Sequence, residues 1–225
     1  GSYDLDPSPT SSFILSSWPQ GDAIYVQKLD SNGVFIWAKA LGAGASDPKL
    51  DALNTDANNN ILIGGTFRDS LQVDVGEFVF ANGSDDAFIQ KLDANGNYVW
   101  GYAYGSSNSF NFEVVKPYDM VIDGAGNIFT IGTFKFLAPA DFDPDTAAVF
   151  NLTPTSSTLD LYIQKLDSNG VFVWAKQFAS SGIVLPSSIQ KDVTGNIYIG
   201  GYYDFSVDVD PDTSVYNLTS VGPGD

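Results

Sequence analysis

Apolar residues in this chain come in short bursts of alternating character, with no stretch of helical period and useful length. Ile24 and Val26 alternate with Tyr25 and Gln27, a two-residue period that puts one set on each face of a strand. The polar tetrad Asp30-Ser31-Asn32-Gly33 separates this run from a second, Val34-Phe35-Ile36-Trp37. Asp-x-Asn-Gly between two such runs predicts a β-hairpin, because the Asp side chain closes an Asx-turn and Asn-Gly accepts positive φ. Farther along, Asp56 leads into Asn60-Ile61-Leu62-Ile63-Gly64-Gly65. That pattern predicts a second hairpin, whose paired glycines let the backbone approach a neighbouring aromatic ring or sheet closely. A third pattern, Asp4-Leu5-Asp6-Pro7, runs on to an apolar stretch at residues 13–15.

All three patterns recur. Residues 24–37 return as 87–100 and 161–174, with nine residues from Lys28 to Trp37, Lys91 to Trp100 and Lys165 to Trp174. Residues 56–67 return as 123–134 and 192–203. The acidic pattern returns as Asp141-Phe142-Asp143-Pro144-Asp145 and Asp208-Val209-Asp210-Pro211-Asp212, leading to apolar runs at 149–152 and 215–218. The second repeat keeps only Asp74-Val75-Gly76-Glu77, and the steps between Asp4, Asp74, Asp141 and Asp208 are 70, 67 and 67 residues. The chain therefore divides into repeats of approximately 3–72, 73–139 and 140–206, with 207–225 starting a further one that matches 3–22. Residues 1–225 read as a single repeat module, all-β, with four to five antiparallel strands per repeat in propeller-like blades.

Composition narrows the function. There are 27 acidic against 10 basic side chains, a formal charge of −17, which excludes a long basic surface for nucleic acid and disfavours anionic membranes. Histidine and cysteine are absent, so there is no Ser-His-Asp triad, Cys nucleophile, disulfide or ordinary zinc site. No apolar run approaches the ~18 residues needed to span a bilayer. Of the 27 acids only Glu77 and Glu113 are Glu, and Asp belongs in turns and metal loops rather than helices. The opening Gly-Ser-Tyr, with no initiator Met or hydrophobic leader, reads as excised or processed. The whole balance reads as a secreted or surface protein.

The order Asp-x-Asp-Pro, Asn-Leu-Thr, Ile-Gln-Lys-Leu-Asp-x-Asn-Gly-x-Phe-Val-Trp-Ala-Lys, Asp-x-x-Gly-Asn-Ile-Tyr-Ile-Gly-Gly resembles the bacterial β-propeller repeats of the SBBP type over essentially the whole chain. The resemblance implies propeller-like blades in tandem arrays of secreted and cell-surface proteins, and no set of catalytic residues. Repeats of that family are shorter; the extra residues here lie at 41–50, 104–118 and 154–160.

Each recurring side chain has a scaffold reading and a functional one. Trp37, Trp100 and Trp174 are expected as largely buried core or inter-blade residues, the alternative being sugar-stacking platforms; Trp18, which breaks the repeat, is the candidate exposed binding tryptophan. Lys28, Lys91 and Lys165 are expected in structural ion pairs with a recurring Asp, the alternative being a basic ligand ring. Asp4, Asp6, Asp141, Asp143, Asp145, Asp208, Asp210 and Asp212 form the best chemical constellation. Clustered carboxylates repel unless a cation or N–H donors balance them, and oxygen-only ligands favour Ca²⁺. The alternative is that they cap turns, since the sixth-position Gly and twelfth-position Glu of calcium loops are missing. Paired carboxylates also suit glycoside hydrolysis, but these repeat with the scaffold whereas an active site is ordinarily unique.

The reading is thus a non-enzymatic structural or adhesive module of an exported bacterial surface protein. Its partners are other copies or further repeats of itself, joined head to tail into a filament, or a glycan or surface protein. The rivals are a calcium-dependent glycan- or protein-binding module using Tyr104, Phe110, Phe112 and Tyr118, and a fragment of a propeller enzyme.

Overall fold

The computed structural model describes residues 2–8, 10–16, 23–43, 48–83, 85–106, 115–135, 139–155 and 158–222. Trp18, Phe110 and Phe112 lie outside them. Among the described residues there is no helix, and 20 strands follow one another. They are β1 (Ser2–Asp4), β2 (Ile14–Ser16), β3 (Ala23–Leu29), β4 (Phe35–Ala43), β5 (Lys49–Thr55), β6 (Ile61–Phe67) and β7 (Ser70–Asp74). Next come β8 (Glu77–Phe80), β9 (Asp86–Leu92), β10 (Tyr98–Tyr104), β11 (Val115–Ile122), β12 (Ile128–Lys135), β13 (Ala140–Asp141) and β14 (Asn151–Leu152). The last are β15 (Leu159–Leu166), β16 (Phe172–Phe178), β17 (Val184–Lys191), β18 (Ile197–Tyr203), β19 (Ser206–Asp208) and β20 (Asn217–Thr219).

Two complete antiparallel sheets, ordered β5-β6-β9-β10 and β11-β12-β15-β16, form the middle of the molecule. Each is a pair of hairpins joined edge to edge, and the short hairpin between them in sequence (β7–β8 or β13–β14) is set aside from the sheet. At the N-terminal side β3–β4 corresponds to the second half of such a sheet and joins the β7–β8 hairpin in a four-stranded sheet ordered β3-β4-β7-β8, with Gly42 opposite Gln72 and Ala43 opposite Leu71. At the C-terminal side only the first half is present, β17–β18. Every four-stranded sheet therefore draws on two successive sequence repeats.

Local rules set the turns. Asp30, Asp93 and Asp167 each accept through Oδ1 the N–H groups two and four residues on, at 2.8–3.0 Å. Gly33, Gly96 and Gly170 close these turns at φ of 80–82°. A bulge after each turn turns Ile36, Val99 and Val173 out to solvent, about half exposed, and leaves Trp37, Trp100 and Trp174 opposite the three lysines.

The sheets stack face to face with apolar cores between them. Ile24, Val26, Leu41, Ile63 and Phe88 fill the first interface. Leu62, Ile89, Tyr104, Met120, Phe134 and Tyr162 fill the second, and Phe129, Ile131, Ile163 and Ile189 the third. Strand β11 lies between β5 and β17, so the first strands of successive sheets are neighbours. Asn54 Nδ2 donates to the Met120 carbonyl at 2.9 Å, and Asp119 Oδ2 accepts from Ile189 N–H at 2.9 Å, tying these strands together.

Candidate functional site

The Asp-x-Asp-Pro segments form ladders of Asx-turns. Asp4 Oδ1 accepts from Asp6 N–H (3.0 Å) and Phe13 N–H (2.8 Å); Asp141 Oδ1 accepts from Asp143 N–H (3.0 Å) and Phe150 N–H (2.8 Å). Asp208 Oδ1 does the same with Asp210 N–H (3.1 Å) and Tyr216 N–H (2.8 Å). The next aspartates continue the pattern. Asp6 takes Ser8 N–H, Asp143 takes Asp145 N–H, Asp145 takes Ala147 N–H and Asp210 takes Asp212 N–H, all at 2.8–3.0 Å. Asp212 ends the last ladder on Lys176 Nζ. Each carboxylate is balanced by N–H donors in the way that lets like charges sit close together. Among the described residues no three His, Cys, Asp or Glu side chains converge as a metal-holding group.

The second repeat departs from this in register. Gln27, Gln90 and Gln164 each donate from Nε2 to a carbonyl of the short hairpin, those of Leu5, Val73 and Phe142. Val73 thus stands where Leu5 and Phe142 stand, and Gln72, not Asp74, holds the place of Asp4 and Asp141. Asp74 instead pairs with Lys39 at 3.1 Å.

The lysines and tryptophans mark the seams between sheets. Lys28 Nζ donates to the Ala94 carbonyl (2.8 Å) in the Asp93 turn of the next sheet. Lys91 Nζ donates to the Ser168 carbonyl (3.2 Å) in the Asp167 turn and pairs with Asp56 at 3.1 Å within its own sheet. The expected ion pair is therefore present at Lys91, and the contact with the next turn was not legible from spacing. Lys165 lies over the Phe129 ring at 5.0 Å. The tryptophans occupy equivalent positions, as expected, each partly buried against a core between sheets. Two of them also meet a glycine of the next repeat: a Cβ on Gly96 would stand 3.3 Å from the Trp37 ring, and one on Gly170 3.4 Å from the Trp100 ring.

The contact surface imagined around residues 104–118 does not include Tyr104. Its ring is 1% exposed and its hydroxyl meets that of Tyr162 at 3.1 Å. Burial pushes the pKa values of both phenols up, so both stay neutral and can share a proton donor. Tyr118 is half-buried with Lys116 Nζ 5.2 Å from its ring centroid.

Two buried acids escaped the sequence reading. Asp86 accepts N–H bonds from Asn82 (2.5 Å) and Ser106 (3.2 Å). Asp160 accepts from Thr155 N–H (2.7 Å), Gln177 Nε2 (2.7 Å) and Ser180 N–H (2.8 Å). Both side chains are wholly buried, and each clamps the loop that leads out of its sheet. Their signal is an Asp four residues before the repeated Gln; the first copy has Ala23 there, which hid it.

No protein-family model matches the chain. It is similar to an uncharacterized WD repeat-containing protein of Acanthamoeba polyphaga mimivirus, 26% identical over 198 residues. The match covers 78% of this chain and 14% of that protein, so the chain spans about a seventh of the relative's length. A WD repeat relative accords with the all-β, propeller-like sheets described above.

Proposed function

We propose that this chain is a non-enzymatic structural module, a length of propeller scaffold continued head to tail by further copies of its own repeat. One observation carries the reading: the recurring polar side chains are committed to the scaffold. The Asp ladders hold turns, Lys28 and Lys91 hold the next sheet's turn, and the glutamines hold the short hairpins. The similarity to a WD repeat-containing protein supports a scaffold. The half-sheets β3–β4 and β17–β18 support continuation, since an unpaired sheet edge is a template for another strand. We place the module in an exported surface protein, a setting supported by the acidic, cysteine-free composition and the likeness to surface-array repeats.

Light scattering and electron microscopy across protein concentration and from about 0.05 to 0.5 M salt test the reading. The charge of −17 keeps copies apart at low salt, so growth is expected as screening increases. A compact monomer under every condition refutes head-to-tail continuation. Surface labelling of intact source cells tests the setting, and a wholly internal protein refutes it.

A further inference from the structure

The free edge of β18 has the form of an acceptor for one more strand, and this same chain carries the matching strand. β6 is buried along its whole length and β12 along all but Lys135, whereas their equivalent β18 is half-buried or exposed at every residue. β9 is wholly buried and β15 nearly so, whereas their equivalent β3 leaves Ala23, Tyr25 and Leu29 exposed. The contrast is sharpest at one pair. Phe88 lies opposite Gly65 and Tyr162 opposite Gly132, with ring atoms 2.8 and 2.5 Å from where a glycine Cβ would stand. Both rings are 0% exposed. Tyr25, the matching ring of β3, is 56% exposed. Gly201, the matching glycine of β18, borders an apolar groove whose other walls include Ile163, Trp174 and Phe178.

Two more pairs are split between the ends. Trp37 meets Gly96 and Trp100 meets Gly170, but Gly33 has nothing within 4 Å of its Cβ position among the described residues. Trp174 is the tryptophan left for it. Lys91 pairs with Asp56 inside one sheet; the corresponding charges, Lys28 and Asp192, belong to different half-sheets.

We propose that strand β3 of a second copy docks antiparallel on β18, with Leu29 opposite Ile197 and Tyr25 over Gly201. The proposal rests on the head-to-tail reading and adds its partner and register. The register is the one used twice inside the chain, where Leu92 faces Ile61 and Leu166 faces Ile128. Docking exchanges one short hairpin for its twin. Gln27 donates to Leu5 of its own β1–β2 hairpin, and at the seam the Val209 carbonyl of β19–β20 offers the same acceptor.

The chain has no cysteine, so a register test is clean. Directly opposed antiparallel residues have Cα atoms about 4.5–5.5 Å apart, within disulfide reach. The double variant Leu29→Cys with Ile197→Cys is expected, after mild oxidation of the full chain, to give covalent species at whole multiples of the 24.1 kDa chain mass. The shifted pair Leu29→Cys with Ile199→Cys is expected to cross-link several-fold less. A shifted pair that cross-links as readily as the matched one overturns the register while leaving head-to-tail continuation standing. A cross-link within one chain, or none at any concentration, overturns both. In the otherwise native chain, Tyr25→Lys alters an exposed side chain and is expected to weaken association at least tenfold with an unchanged melting curve in dilute solution. Association that survives it overturns the Tyr25–Gly201 seam.

Discussion

Asp86 makes the fold's response to pH predictable. Its carboxyl is 0% exposed at the start of β9, and burial pushes its pKa up to about 6 against the pull of N–H groups from Asn82, Ser106 and Gly83. The unfolded carboxyl titrates near its ordinary 3.8. Between these two values the folded chain holds a proton that the unfolded chain has lost, so stability falls as pH rises from about 4 to 6 and is flat above. Two units at ~1.4 kcal/mol each put the penalty on the order of 3 kcal/mol at neutral pH. Asp86→Asn keeps the shape of the protonated acid and removes the titration. Urea unfolding of both proteins at about pH 4.5 and pH 8, under dilute conditions, is the assay. The variant is expected to gain on the wild type by roughly 2–3 kcal/mol as pH rises between those points. Profiles that run parallel within about 0.5 kcal/mol would refute the assignment of a buried, proton-holding Asp86. Below pH 4 the slope reverses. Burial acts on Asp56 and Asp123 too, but hydrogen bonds from Asn60 and Asn127 outweigh it and hold both below the usual carboxylate range. Protonating them costs those bonds.

Four other substitutions probe the scaffold. A Cβ on Gly132 would stand 2.1 Å from the Lys116 carbonyl and 2.5 Å from the Tyr162 ring, so Gly132→Ala is expected to cost roughly 3 kcal/mol or more, whereas Gly200→Ala, whose Cβ would have only Ser188 Oγ within 4 Å, at 3.8 Å, stays within about 0.5 kcal/mol. Thermal unfolding of the pair checks this, and equal effects would contradict the close ring approach. Gln164→Leu leaves the Phe142 carbonyl without its buried donor and is expected to lower stability by about 1–3 kcal/mol in the same assay. Asp141→Ala removes a cap on two N–H groups and is expected to cost about 1–2 kcal/mol, with melting of the wild type unchanged between millimolar Ca²⁺ and chelator. A calcium-dependent rise of several degrees would reassign the Asp ladder to metal binding.

What was legible in the sequence is what a few neighbouring residues decide. The Asp30, Asp93 and Asp167 turns each need only five residues, and all three close as expected. The paired glycines announced a close ring, and Phe88 and Tyr162 supply it. Sheet membership was not legible, because β6 pairs with β9 across a hairpin that joins neither, and no local residue encodes that jump. The tryptophans were legible as inter-blade residues, and Trp37, Trp100 and Trp174 each pack against a core between sheets. The glycines of the next repeat that meet Trp37 and Trp100 were not legible, because they lie about 60 to 70 residues away. The second acidic hairpin was read two residues out of register, since Asp74 looks like its counterparts and only the Gln90–Val73 bond shows that Gln72 occupies the place.

An acidic protein whose sheets stack face to face has to keep repulsion away from its seams, and the placement of charge does this. At the internal seams Trp37 meets Gly96, Trp100 meets Gly170, and Lys28 and Lys91 reach turn carbonyls, while two carboxylates that cross, Asp51 and Asp119, are matched by Lys116 and by the Ile189 N–H. The recurring carboxylates of Asp30, Asp56, Asp123 and Asp141 are held by N–H groups in Asx-turns. Ten basic residues against 27 acids would be a poor balance if spread evenly, but a lysine at each seam puts positive charge where the next repeat's turn carbonyls converge. In a repeat protein each unit touches only its neighbours, so one favourable seam can be copied without limit while the net charge accumulates on outer loops. The proposed seam between copies would carry the same distribution: Tyr25, Lys28 and Gly33 on one side, Gly201 and Trp174 on the other, and Asp192 as the carboxylate to meet Lys28, as Asp56 meets Lys91.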